Sequence, residues 1–164
     1  MQGIINDFPQ FEFVAGSIFV WSPQYQAIMY DRKRIRSNEG RLALLHEISH
    51  AVLGHRIYKY DIELIAMEVD AWEKTRELAQ KYQVTVDEEH IAECIASYDH
   101  WITKRSTCPD CDSFCLQQAR DQYRCFACGA VWEVNWRKDR RVTRRVVDRE
   151  IHRAALPLQF AERK

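Results

Sequence analysis

At 164 residues the chain has room for one domain, or a small domain with an appendage, and a hydrophobic fraction of 46% is enough for a buried core. Its 24 basic and 24 acidic side chains cancel, which excludes a global field that would recruit nucleic acid or an anionic membrane. No segment approaches the roughly 20 apolar residues of a membrane span and no leader pattern opens the chain, so the expectation is a cytoplasmic protein in which four of the six cysteines, in two Cys-x-x-Cys pairs, serve metal rather than disulfides.

From Phe11 to Tyr30 the residues are β-branched and aromatic, interrupted by Ser22 and Pro23, which predicts two strands in a short antiparallel sheet. Ser37 opens a helix in which Leu42, Leu45, Ser49, Val52 and Leu53 recur at helical spacing until Gly54. Asp61 is a candidate N-cap for a second helix, striped by Ile62, Ile65, Val69, Trp72 and Ala79 and ending near Tyr82. A third runs from about Asp87 through Ile91, Ile95, Tyr98 and Ile102. After Thr107 the pattern changes to paired cysteines, and after Trp136 to an arginine-rich segment. The expected organisation is α+β: a first domain over residues 1–104, a small cysteine-paired ribbon over 105–136, and a basic C-terminal segment over 137–164.

The first helix carries His46-Glu47-Ile48-Ser49-His50. Histidines four apart project from one helix face and can share a zinc ion, with Glu47 directed at the water that the ion binds. Zinc lowers the pKa of that water toward about 7 and polarises a peptide carbonyl, and the adjacent carboxylate takes the proton as general base. A catalytic zinc generally has three protein ligands, so one more is required. The second helix offers Glu63, Glu68, Asp70 and Glu73, of which Glu68 is preferred. Asp70 and Glu73 point about 200° and about 140° away from Glu68 on a helix, so at most one of the three can aim at the metal. His55, about 140° from His50 and beyond Gly54, is read instead as a helix C-terminal residue favoured by the dipole. Tyr98 and His100 are candidate donors to a developing oxyanion, and Tyr98 fits an apolar stripe equally well.

HEISHAVLGH followed by EVDAW resembles the gluzincin peptidases, especially the minigluzincins and the ImmA/IrrE-type metallopeptidases, over roughly residues 11–104. The resemblance implies a minimal zincin fold, a short sheet on about three helices. It also implies Glu68 as third zinc ligand, Glu47 as base, and a protein or peptide substrate bound as an extended strand beside a sheet edge within residues 17–30. SprT-like DNA-associated proteases also join this motif to a zinc ribbon, but they use a third histidine where this chain has EVDAW. A third alternative is an inactive, zinc-stabilised binding module.

Cys108-Pro-Asp-Cys111 and Cys125-Phe-Ala-Cys128 have the spacing of a closed tetrahedral site of four thiolates, so a second, structural zinc is expected, with a closing strand carrying Val131 and Val134. So short a segment cannot bury enough apolar surface to fold without the metal. Cys94 and Cys115 fall outside the pattern and read as free thiols. From Arg137 onward ten Lys or Arg stand against four acids, giving +6 there and −6 in the remainder. Phosphate contact through the ribbon and this segment is conceivable but not favoured, because Val142, Val146, Val147, Ile151 and Leu156 suit a docked strand or helix. Docked over the cleft, the segment would keep a peptidase latent.

Overall fold

The computed structural model describes residues 2–149 and is a mixed α+β protein. It divides into two compact units, the first comprising residues up to Tyr58 together with Ile62–Tyr98, the second Lys59–Asp61 together with Asp99 onward. Among the described residues no helix is long and apolar enough to cross a membrane.

The first unit opens with a one-turn helix α1 (Gln2–Asn6), which the sequence pattern does not announce, and which is followed by three strands, β1 (Glu12–Gly16), β2 (Val20–Ser22) and β3 (Ala27–Asp31). Here the sequence expectation fails. The sheet order is β1-β3-β2, with β2 antiparallel and β1 parallel to β3, so the sheet is mixed and has three strands instead of two. The run FEFVAGSIFVW is broken at Gly16-Ser17 as well as at Ser22-Pro23. The first break lets the chain cross over, so that the two more exposed strands flank β3. β3 is the most apolar and the most buried of the three, with Ile28 fully enclosed, and a central strand is where such a side-chain set buries most surface.

After a 3-10 turn (Arg34–Arg36), helix α2 (Asn38–Val52) begins where expected, its N-cap Ser37 accepting the Gly40 amide on its hydroxyl at 3.1 Å. It ends with Gly54 in the left-handed region at φ 69°, a conformation that glycine adopts without strain. Helix α2 lies against β2 and β3. Helices α3 (Asp61–Tyr82) and α4 (Glu88–Ser106) follow. The core of the unit gathers Ile28, Leu44, Leu45, Ile48, Trp72, Ala79 and Ile91. Between α2 and α3 two fully buried hydroxyls, Ser49 and Thr75, stand 3.0 Å apart, each within reach of the carbonyl four residues back in its own helix, at Leu45 and Ala71, and their two protons are shared among these three contacts. The two small hydroxyls leave no buried donor unsatisfied there.

The second unit is built on an antiparallel sheet of four strands, β4 (Leu116–Ala119), β5 (Gln122–Arg124), β6 (Ala130–Val134) and β7 (Arg144–Arg149), in sequence order. Val131 and Val134 lie on β6 as expected. The last strand departs from the proposed boundary at residue 136, because Arg144–Arg149 pairs along the whole of β6 and completes the ribbon's own sheet. Val146 packs against the cluster around Trp132, while its neighbours Arg145 and Val147 are exposed on the other face. Several of the strand's cations are engaged inside the unit, Arg145 with Glu133, Arg149 with Asp110 and Arg144 with the Thr107 carbonyl. The proposed docking of residues 150–164, including Ile151 and Leu156, lies outside the described residues.

Inside this unit Arg105 is fully buried, paired with the carboxylate of Asp61, which also accepts the Tyr123 hydroxyl. The guanidinium further donates to the Asn135 carbonyl, and Trp132 Nε1 donates to the Arg105 carbonyl. A buried cation and anion are tolerated because each is hydrogen-bonded on several sides.

Candidate metal centres

Helix α2 places His46 and His50 on one face, one turn apart, with Glu47 beside them on the side nearer the sheet. Helix α3 contributes Glu68, which is buried, whereas Glu63, Asp70 and Glu73 are exposed. The three donor atoms converge: His46 Nε2 is 3.1 Å from His50 Nε2 and 3.4 Å from Glu68 Oε2, and His50 Nε2 is 3.7 Å from Glu68 Oε1. Donors about 2.0–2.2 Å from a tetrahedral centre stand about 3.3–3.6 Å from one another, so the trio is spaced as metal ligands are, and its longer edges exceed a normal hydrogen bond. His46, His50 and Glu68 thus form a group that can hold a metal ion.

Electrostatics agree with that use. Burial, reinforced by His46, lowers the His50 pKa to about 4, so the ring is neutral with a lone pair to give. Burial works against the Glu68 carboxylate, yet the hydrogen bond from His46 and the two imidazoles together hold its pKa below the usual value, keeping it anionic. Glu47 goes the other way. Burial raises its pKa, partly offset by His46 and by the Trp21 amide, which donates to Glu47 Oε2 at 2.6 Å. That bond anchors the carboxylate to strand β2, an edge of the sheet.

These groups line a cleft of about 470 Å3, whose walls include Phe19, Trp21, Leu64, Met67 and Tyr98. Tyr98 hydrogen-bonds Glu68, and burial followed by the Glu68 charge raises its pKa, so its hydroxyl keeps its proton. His100 is exposed on α4 and does not join the group. Two residues in this cleft escape a reading of the sequence. One is Trp21, whose main chain holds Glu47. The other is His55, whose ring lies 2.8 Å from His50 and whose pKa is lowered chiefly by burial, contrary to the role of a dipole-favoured cation. Gly54 was the available signal, because a left-handed residue after a helix turns the next one back over the last turn.

The cysteines form two matching knuckles. In each, the residue four after the first cysteine, Asp112 or Gly129, has positive φ and donates its amide to that cysteine's carbonyl, at 3.1 and 3.0 Å. In each, the first cysteine's own amide is then bound by the carbonyl one residue further on, Ser113 or Ala130. The Sγ atoms of Cys108 and Cys128 are 3.6 Å apart, and those of Cys111 and Cys125 3.5 Å. That is far longer than a disulfide and close to the edge of about 3.8 Å expected of sulfurs on a tetrahedral zinc. Cys108, Cys111, Cys125 and Cys128 can therefore hold a second metal ion. Burial opposes the Cys125 thiolate, but the Cys128 and Ala127 amides and neighbouring thiols bring its pKa down to about 6. Cys94 and Cys115 belong to neither group and form no disulfide.

Known protein families, curated proteins and solved structures were compared with the chain, and none matches it.

Proposed function

We propose that the chain is a zinc-dependent peptidase of gluzincin type, with His46, His50 and Glu68 as metal ligands and Glu47 as general base. The observation that carries this reading is the meeting of an HExxH helix with a buried Glu68 from the next helix in a cleft bordered by a sheet edge. A zinc ion held there supplies a Lewis acid for a peptide carbonyl and lowers the pKa of a coordinated water toward about 7. The side chains do the rest. Glu47 lies next to the ligands, and its burial-raised pKa brings it nearer the operating pH that suits a base which must later give the proton back to the leaving amine. Tyr98 lines the same cleft and keeps its proton, so its hydroxyl can serve the oxyanion by turning from Glu68. Strand β2, on the sheet edge beside Glu47, offers main-chain groups on which an extended peptide can lie.

The four cysteines are assigned to a structural zinc, since a closed thiolate set leaves no open position. Because several cations of β7 are engaged with partners of their own unit, residues 144–149 read as part of the ribbon fold, and nucleic acid is not invoked.

The test is turnover of a dye-labelled unfolded protein and of a mixed peptide library by the full chain and by Glu47→Gln. A base contributes about 100- to 10,000-fold, so the variant is expected to retain both metals and lose cleavage by at least the lower figure. Equal turnover, or no cleavage by the zinc-loaded wild type, overturns the proposal.

A further inference from the structure

His50 turns Nε2 toward the other two donor atoms, and its remaining ring nitrogen, Nδ1, is 2.8 Å from Nδ1 of His55. Two neutral ring nitrogens at that separation share one proton, so one ring donates and the other accepts. A histidine that gives its Nε2 lone pair to a metal carries its proton on Nδ1. His50 must then be the donor and His55 the acceptor, with His55's own proton on Nε2.

His55 is held in place to accept. Its amide donates to the His50 carbonyl at 3.0 Å across the left-handed Gly54, and its carbonyl accepts the Trp21 indole N–H at 2.9 Å. Trp21 therefore serves the cleft twice, with its main chain on Glu47 and its side chain on His55. The two metal-site histidines are supported differently. The His46 ring stacks on Trp72 with centroids 3.9 Å apart, and its Nδ1 is buried with no hydrogen-bond partner among the described residues. His46 is oriented by stacking, whereas His50 depends on one hydrogen bond.

We propose that His55 is a positioning residue for the metal site: its Nδ1 lone pair fixes the tautomer and the ring orientation of His50, and Trp21 fixes His55. The inference rests on His46, His50 and Glu68 holding a metal, and deepens that reading by assigning the acceptor behind one ligand to an imidazole instead of a carboxylate. His55 is not itself a ligand, because its Nδ1 faces His50 and it stands outside the group of converging donors.

Nitrogen-15 spectra of the histidine rings in the zinc-loaded full chain read the tautomers directly. His50 protonated on Nδ1 with His55 protonated on Nε2 is the expected result, and His50 protonated on Nε2 overturns the proposal. Competition with a chromophoric zinc chelator reads the affinity. Loss of such an outer partner typically weakens binding about 10- to 100-fold, and His55→Phe is expected to do so at the histidine site while the cysteine site keeps its zinc. His55→Gln, which restores an acceptor oxygen, should recover most of the loss. Trp21→Phe, which removes the indole donor and keeps an aromatic ring beside Phe11, should weaken zinc by less than His55→Phe and gives a reading even if His55→Phe does not fold. Unchanged zinc affinity in these variants overturns the proposal. Weakened zinc in His55→Phe beside a wild type that cleaves no peptide would retain it and remove the peptidase reading. A wild type that binds zinc only at its cysteines would remove both.

Discussion

Glu68 shows how far a residue can be read from sequence. Helical geometry allows only one of Glu68, Asp70 and Glu73 to face the histidines, and where α2 meets α3, at the Ser49–Thr75 contact, Glu68 is buried while the other two are exposed. The choice among the three needed the helix contact, which periodicity alone does not supply. Glu68→Gln keeps the shape and removes the charge, so elemental analysis should find zinc lost from the histidine site and kept by the cysteines. Gly40 was not legible at all. A Cβ there would stand 1.9 Å from the Arg34 carbonyl oxygen, and since this is backbone it cannot swing aside. Gly40→Ala is expected to destabilise the first unit by about 3 kcal/mol, at the upper end of overpacking costs, measurable by urea unfolding.

At the scale of elements, the helices were legible because their signals are local. Ser37 caps α2 and Gly54 ends it, as their side-chain chemistry dictates. Ser37→Ala removes the acceptor of the Gly40 amide and should cost about 1 kcal/mol. Gly54→Ala meets nothing within 4 Å, so its cost is conformational strain alone, about 1–2 kcal/mol, and it should also weaken zinc at the histidine site by displacing His55. A melt beside a zinc titration separates the two effects, and an unchanged zinc affinity would detach the turn from the site. The sheet was misread because pairing is not local. The composition of Phe11–Tyr30 announces strands, but the parallel partnership of β1 with β3 depends on the crossover after Gly16, where the sequence carries only a turn signal.

For the whole molecule, cysteine spacing located the second metal group, and the two-knuckle geometry agrees with it. Missed was the recruitment of Arg144–Arg149 into the same sheet, because RRVVDR carries no apolar–polar alternation and only Val146 is partly buried there. The second unit has a small apolar cluster around Tyr123 and Trp132, so its stability should depend on metal and on the buried ion pair. Cys125→Ser should lose zinc from the ribbon and change the fluorescence of buried Trp132. Arg105→Met leaves the Asp61 carboxylate without its cation and should cost about 3–5 kcal/mol. A ribbon that stays folded in both variants would contradict this account. The most direct test of the central claim is elemental analysis of the purified chain beside His46→Ala/His50→Ala, with peptide cleavage assayed on the same samples. Two zinc ions per chain and cleavage in the wild type, against one zinc and no cleavage in the variant, are predicted from the two ligand sets. One zinc in both samples, or cleavage that survives the loss of both histidines, would contradict it.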